Sequence, residues 1–412
     1  MEQYQESLKK TTAYYLIMAT IVVFIFSEFI TRGPVQPFAA AVDDMKIKYV
    51  FMGFASLMFL ILIVTRRKKL FKNSVFLFES KLFLGAILGL VVITIYYQIR
   101  NGFRSFVIPE FFYILFPLLF VILIVSVDYY NITRILDNCF YVVIIAFIIG
   151  NIDILSVSSI FSISFSDSAS SPFENGSSIV FVCFELYFLI RYQRRNTKSL
   201  VCLVLTILTF KRLAIVKAIL FFIFVPIIKN KKVSRWILIT VIVMFCLLPL
   251  LLEYIYSNNF ANIMLAKYGI EMNELTMDRF KRTVYVLGHM GQIKYGYGSV
   301  TYFLTNNYGL HEFSNRSLHS DILRIYLECS FVGTLIYNSC YFLAVKKNVI
   351  SFILMLHIFT EMIVNHPLGA GNVGNWTIFY LMIVYFNYRE VVPFYKEGRI
   401  GKKKIKLGKI VI

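Results

Sequence analysis

Apolar residues in this chain fall in long runs separated by short polar stretches. Each run is about 16–20 residues long, the length over which a helix crosses a hydrocarbon core. The runs predict spans at 12–30, 49–64, 82–99, 108–127, 137–153, 178–190, 198–210, 213–228, 236–252, 321–345, 349–364 and 376–388. The expected fold is therefore an all-α polytopic membrane protein with about twelve transmembrane helices. One long loop, 253–320, separates the ninth span from the tenth. The segments are then spans one to nine over 1–252, the loop over 253–320, spans ten to twelve over 321–388, and a basic tail over 389–412. Between the seventh and eighth spans lies only Lys211-Arg212, which places that pair at a tight turn at the membrane surface.

Composition agrees with this pattern. The chain is 58% hydrophobic and 16% charged, with a mean hydropathy of +0.71. Soluble domains carry roughly 25% charged residues, and a soluble core of this size could not bury so much apolar side chain. In a soluble chain a net charge of +19 would point to nucleic acid. Here most of the 42 basic residues sit in loops on alternate sides of the runs, which is the positive-inside pattern and calls for no nucleic-acid partner. It predicts an even number of spans with both termini in the cytoplasm. Lys9 and Lys10 precede the first run as in a signal peptide, but the run is long and no small-residue cleavage site follows it closely, so it reads as an uncleaved span. Six cysteines stand singly in apolar runs, without the spacing of a zinc site or a disulfide framework.

The loop 253–320 mixes aromatic, apolar and charged residues as a small folded cap would, with a helix expected over 277–292. A second outer stretch, 156–178, is Ser-rich and reads as a flexible loop, and there is no internal repeat of the kind many transporters show. Fifteen basic residues escape the positive-inside bias, and among them are Lys211 and Arg212, then Arg279, Lys281 and Arg282, then Arg316, close in sequence to His319 and Arg324. They are either scattered solvated charge or, if gathered, an electropositive site for an anion, with Arg suited to phosphate oxygens. His319 is a satisfied polar residue at the interface or a general base acting on a hydroxyl; Asp321 either orients it or caps the helix beginning there. Glu185, Lys217, Glu328 and Glu361 lie within spans, where ionisable groups are costly and mark either function or structural ion pairs. Gly296-Tyr297-Gly298 lacks the strand and helix context of a phosphate loop and reads as a turn.

In the order of these features the chain resembles the bacterial O-antigen polymerase and O-antigen ligase superfamily, of the Wzy type. Thr209-Phe210-Lys211-Arg212 before an apolar span looks like the family's Arg-bearing turn, with Lys211 where the family often has Ser. Arg279 and Arg282 precede Gly296-Tyr297-Gly298 as the family places an Arg before a G-x-G turn. His319-Ser320-Asp321-Ile322-Leu323, with Glu328 and Gly333 beyond, is similar to the H-N-x-x-L…E-x-G-x-x-G segment, except that Ser320 stands for Asn and Cys329-Ser330 interrupts E-x-G. The resemblance spans about 200–336. It implies a metal-independent glycosyltransferase without a cofactor, at the outer face of the bacterial cytoplasmic membrane. Its substrate would be undecaprenyl-diphosphate-linked oligosaccharide, polymerised into O-antigen or capsular polysaccharide. A chain-length regulator is an implied partner alongside the lipid bilayer. The implied catalytic residues are His319, Arg212, Arg279 and Arg282; Lys211, Arg316, Arg324, Glu328 and Tyr297 are the implied substrate contacts. A ligase acting on lipid A–core and a flippase of lipid-linked sugar are the alternatives.

Overall fold

The computed structural model describes residues 2–30, 76–128, 131–152, 177–228, 231–276, 279–289, 294–307, 318–368 and 372–389, with isolated positions between 50 and 61. Most of the expected span 49–64 and of the Ser-rich stretch 156–178, Arg316 and nearly all of the basic tail lie outside the described residues. Among the described residues the chain is helical and contains no strand.

The helices are α1 (Glu2–Phe29), α2 (Leu77–Asn101), α3 (Val107–Asp128), α4 (Ile132–Gly150), α5 (Ser177–Tyr192), α6 (Thr197–Leu208), α7 (Arg212–Phe224) and α8 (Arg235–Ile255). After these come α9 (Asn258–Tyr268), α10 (Met272–Leu275), α11 (Arg279–Gly288) and α12 (Ser299–Asn307), then α13 (Asp321–Ala344), α14 (Val349–Val364) and α15 (Val373–Asn387). Four segments, Leu77–Asn101, Val107–Ser126, Ile132–Gly150 and Arg235–Ile255, are long and apolar enough to cross a membrane. Their outward faces fit that reading. Leu88, Val92, Ile95 and Ile99 on α2 are exposed, as are Trp236, Ile237, Met244, Leu247 and Leu251 on α8. Contiguous apolar surface of that extent suits lipid better than water.

Two shorter helices form the interior. Helix α5 is buried from Ser177 to Arg191 and α15 from Val373 to Phe386, except Asn375. A helix apolar on every side belongs inside a bundle, and these two are wrapped by the rest. Helix α15 packs on α1, α3, α4, α5 and α14, while α5 carries α6, α7 and α14. Helices α6 and α7 are 12 and 13 residues long, about 18–20 Å at 1.5 Å per residue, well short of a ~30 Å core. They form an antiparallel hairpin: Arg195, before α6, donates from Nε to the Phe222 carbonyl near the end of α7, 3.1 Å away. The turn between them passes through Phe210 at φ 54° and ends on Lys211, the residue before α7.

The bundle has two distinct ends. At one, the loops bearing Lys231, Lys346 and Lys347 are stitched together by Val349 N–H to the Lys231 carbonyl (2.9 Å) and Val233 N–H to the Lys346 carbonyl (3.1 Å). Buried Glu79 gathers the same end, accepting from Tyr388 Oη at 2.7 Å and Asn387 Nδ2 at 3.1 Å and pairing with Lys347 Nζ at 3.4 Å. At the opposite end lie the hairpin tip, the short helices α9 to α12, and the turn 365–368 between α14 and α15. The expected helix over 277–292 is present as Arg279–Gly288. Val286, Val300, Phe303 and Leu304 form a second apolar cluster with Leu318, Leu323 and Leu327 on the first half of α13, so the segment is a folded cap.

Candidate anion-binding site at the capped end

Three connections fix the start of α13. Ser320, not Asp321, caps the helix, its hydroxyl accepting from Leu323 N–H at 3.3 Å. Asp321 instead accepts from Leu368 N–H at 2.6 Å, and Asp321 N–H donates to the Asn365 carbonyl at 3.3 Å. Trp376 Nε1 donates to the Pro367 carbonyl at 2.8 Å and holds the far side of the same turn. The 319–321 and 365–368 segments are thereby sewn together. His319 and His366 meet with ring centroids 5.0 Å apart and planes at 75°. Both rings are half-buried, and the Nδ1 atom of each is enclosed with no hydrogen-bond partner among the described residues.

Cations reach this pair from two further elements. Helix α11 turns Phe280, Thr283 and Val286 inward. Arg279 Nη1 donates to the Val364 carbonyl at 3.0 Å, setting a positive charge at the C-terminal end of α14 where the helix dipole favours one. Arg282, three residues on, is buried. The α6–α7 hairpin is held against α14 by an ion pair between Lys217 and Glu361, and Glu361 also accepts from Asn365 Nδ2 at 2.7 Å. That pairing sets Lys211, one and a half turns before Lys217, at the site. Of the two alternatives for Lys217 and Glu361, a functional group or a structural ion pair, the geometry supports the second. Glu185, by contrast, is buried in α5 with no hydrogen-bond partner on either oxygen among the described residues.

The electrostatic outcome is read on the imidazoles. Burial is the largest influence on His319, followed by His366, Arg279, Arg282 and Lys211, and together they push its pKa down to about 3. His366 is pushed down to about 4 by burial, then by Arg324, Lys211, Arg279 and Arg282. Each ring is neutral at neutral pH, with a lone pair available to accept a proton.

A second, drier cluster lies beside the site. Arg324 Nη2 donates to Tyr297 Oη at 2.6 Å, and its guanidinium has Glu110 at 3.8 Å, Asp321 at 3.4 Å and Glu328 at 3.9 Å. Glu328 accepts from Gly298 N–H at 2.9 Å and Val300 N–H at 2.8 Å, capping α12. Gly296 and Gly298 sit at φ +96° and +93°, and a Cβ would meet Thr94 at 2.5 Å in the first case and Glu110 at 2.7 Å in the second. This explains both glycines of the turn, which serves close packing and not phosphate binding.

Of the residues expected at the site, His319, Lys211, Arg279 and Arg282 are brought together. Arg212, next to Lys211, is exposed on the first turn of α7. Arg324, Glu328 and Tyr297, expected as substrate contacts, are only 2%, 1% and 0% exposed. Enclosed by protein, they fasten the cap to α2, α3 and α13. His366 was not expected. Its signal was the polar break Asn365-His366-Pro367 directly after an apolar run that already carried Glu361. Compared with known proteins, the chain matches no family model, and no characterised protein is significantly similar to it.

Proposed function

We propose that the chain is a membrane glycosyltransferase that polymerises undecaprenyl-diphosphate-linked oligosaccharide repeat units into O-antigen or capsular polysaccharide. In this reading about twelve helices span the bacterial cytoplasmic membrane, with both termini in the cytoplasm and the capped end facing outward. The observation that carries it is the gathering of Lys211, Arg279 and Arg282 around two neutral imidazoles, at the end of the bundle away from the basic loops. Such a site suits a diphosphate leaving group and a hydroxyl nucleophile together.

The chemistry balances on these groups. The acceptor hydroxyl gives its proton to His319 while its oxygen attacks the anomeric carbon of the donor sugar. The bond from that carbon to the diphosphate oxygen breaks, and the electron pair leaves on the diphosphate. Lys211, Arg279 and Arg282 neutralise the charge developing there, in a site pre-arranged before substrate arrives. Nothing in the step calls for a metal.

Purified protein in lipid nanodiscs, supplied with labelled lipid-linked repeat units, tests the reading. Lengthening of the glycan on the carrier lipid is the expected result. Transfer only to an added lipid A–core acceptor would make the protein a ligase. Binding without any new glycosidic bond would sink the transferase reading and favour a flippase.

A further inference from the structure

We infer that His366 is a second working imidazole of the proposed site, and that it and His319 together face a diphosphate anion held by Lys211, Arg279 and Arg282. The inference deepens the proposed function and rests on it for the identity of the anion.

The geometry gives the pair one environment. The rings touch edge to face, and each presents an enclosed Nδ1 to which no described residue is hydrogen-bonded. A buried ring nitrogen without a partner is costly unless something else meets it. The charged groups that act on the pair include Arg279 and Arg282 from α11, Lys211 from the hairpin tip, and Arg324 from α13. The carboxylates nearest in the chain are already engaged. Asp321 accepts from Leu368 N–H and lies against Arg324, and Glu361 serves Lys217 and Asn365. Among the described residues, the charged side chains that act on the two rings are cations, and an incoming anion would offset their field.

Cancelling it changes what the histidines do. Surrounded by cations, both rings stay neutral. With a diphosphate among Lys211, Arg279 and Arg282, the positive field at both rings weakens and each holds a proton more tightly. The base is thus strengthened by the arrival of its own substrate. His319 can take the proton of the acceptor hydroxyl, and His366, protonated from solvent, can donate a hydrogen bond to a diphosphate oxygen. No oxidant or further reactant is required.

The chain has 5 histidines, so selective isotope labelling of this side chain gives a readable spectrum of the full-length protein. The test follows imidazole resonances against pH in phosphatidylcholine nanodiscs, with and without saturating inorganic pyrophosphate; signals are assigned by His→Gln substitution one position at a time. Without pyrophosphate, neither His319 nor His366 is expected to titrate above about pH 5. With it, both midpoints should rise by at least about one pH unit, as an opposite charge within a few ångströms produces. A shift of His319 alone, of neither, or no binding of pyrophosphate would overturn the inference. So would the same shift produced by phosphatidylglycerol nanodiscs without pyrophosphate, since a lipid headgroup would then be the ligand. The spectrum separates this from the wider reading. Paired shifts in a protein that forms no glycan leave the histidine pair standing and remove the transferase; glycan synthesis with an unresponsive His366 does the reverse.

Discussion

Arg324 and Tyr297 are 27 residues apart in sequence, yet Nη2 of the one donates to the hydroxyl of the other at 2.6 Å in a place neither lipid nor water reaches. The guanidinium also lies over the tyrosine ring, 5.0 Å from its centroid. This contact ties the turn 296–298 of the cap to α13. Removing the hydroxyl by Tyr297→Phe leaves a buried charged donor unpaired, which costs about 1–3 kcal/mol. Thermal unfolding in detergent should show that loss with helical content unchanged before the transition. Gly298→Ala should be at least as harmful, because it adds a clash with Glu110 to a positive φ.

Helix α13 is broken at Ser330, which takes φ 64° and ψ 179°, a conformation nearly reserved for glycine. It stands at the position where the resemblance has glycine. Ser330→Gly is expected to stabilise the protein by about 1 kcal/mol by relieving that strain. Ser330→Val should destabilise it, since a β-branched residue fits the conformation worse. Equal melting temperatures for the three forms would mean that the break carries no strain.

Lys217 and Glu361 form an ion pair between α7 and α14. Breaking a buried pair by removing one partner typically costs about 3–5 kcal/mol, while replacing both with apolar residues is often neutral. Lys217→Met and Glu361→Leu should each lower the melting temperature, and the double variant should recover much of the loss. Because this pair positions the hairpin, the double variant should still lose glycan synthesis if Lys211 acts at the site.

Lys211 and Arg212 are adjacent, but they differ in placement. Lys211 is half-buried and acts on both imidazoles, whereas Arg212 is exposed. Lys211→Ala should lower turnover by about 10²–10³-fold, the scale for losing one pre-arranged charge partner of a leaving group. Arg212→Ala should cost less. The reverse order, measured as initial rates on lipid-linked repeat units, would assign the site's third cation to Arg212.

His319 and His366 make stability depend on pH. Their folded pKa values, about 3 and about 4, lie below the ordinary histidine value of 6.5. Between those values the unfolded chain binds more protons than the folded one, so stability rises with pH. It should be fully present above pH 6.5 and decline as pH falls toward 4. The drop in melting temperature between pH 7 and pH 5 should shrink in a His319→Gln/His366→Gln variant. An unchanged drop would place the acid sensitivity elsewhere.

The sequence alone was enough to place the helices. Each described helix outside the cap overlaps an apolar run, because the periodicity and composition of a buried or lipid-facing helix are local properties of the chain, although α6 and α7 are too short to cross a hydrocarbon core. It also separated a basic end from a cap and marked Lys211, Arg279, Arg282 and His319 by their departure from the charge bias. Apolarity could not say which helices face lipid. Leu88 on α2 is exposed and Leu189 on α5 is enclosed, since lipid tails and a protein interior are equally apolar solvents. Only the tertiary structure decided that Arg324, Glu328 and Tyr297 are fasteners, that Lys211 is half-buried while Arg212 is exposed, and that His366 meets His319 from 47 residues away. Those choices rest on hydrogen bonds and ion pairs between distant segments, and no local pattern of residues encodes which distant partner will satisfy a buried polar group.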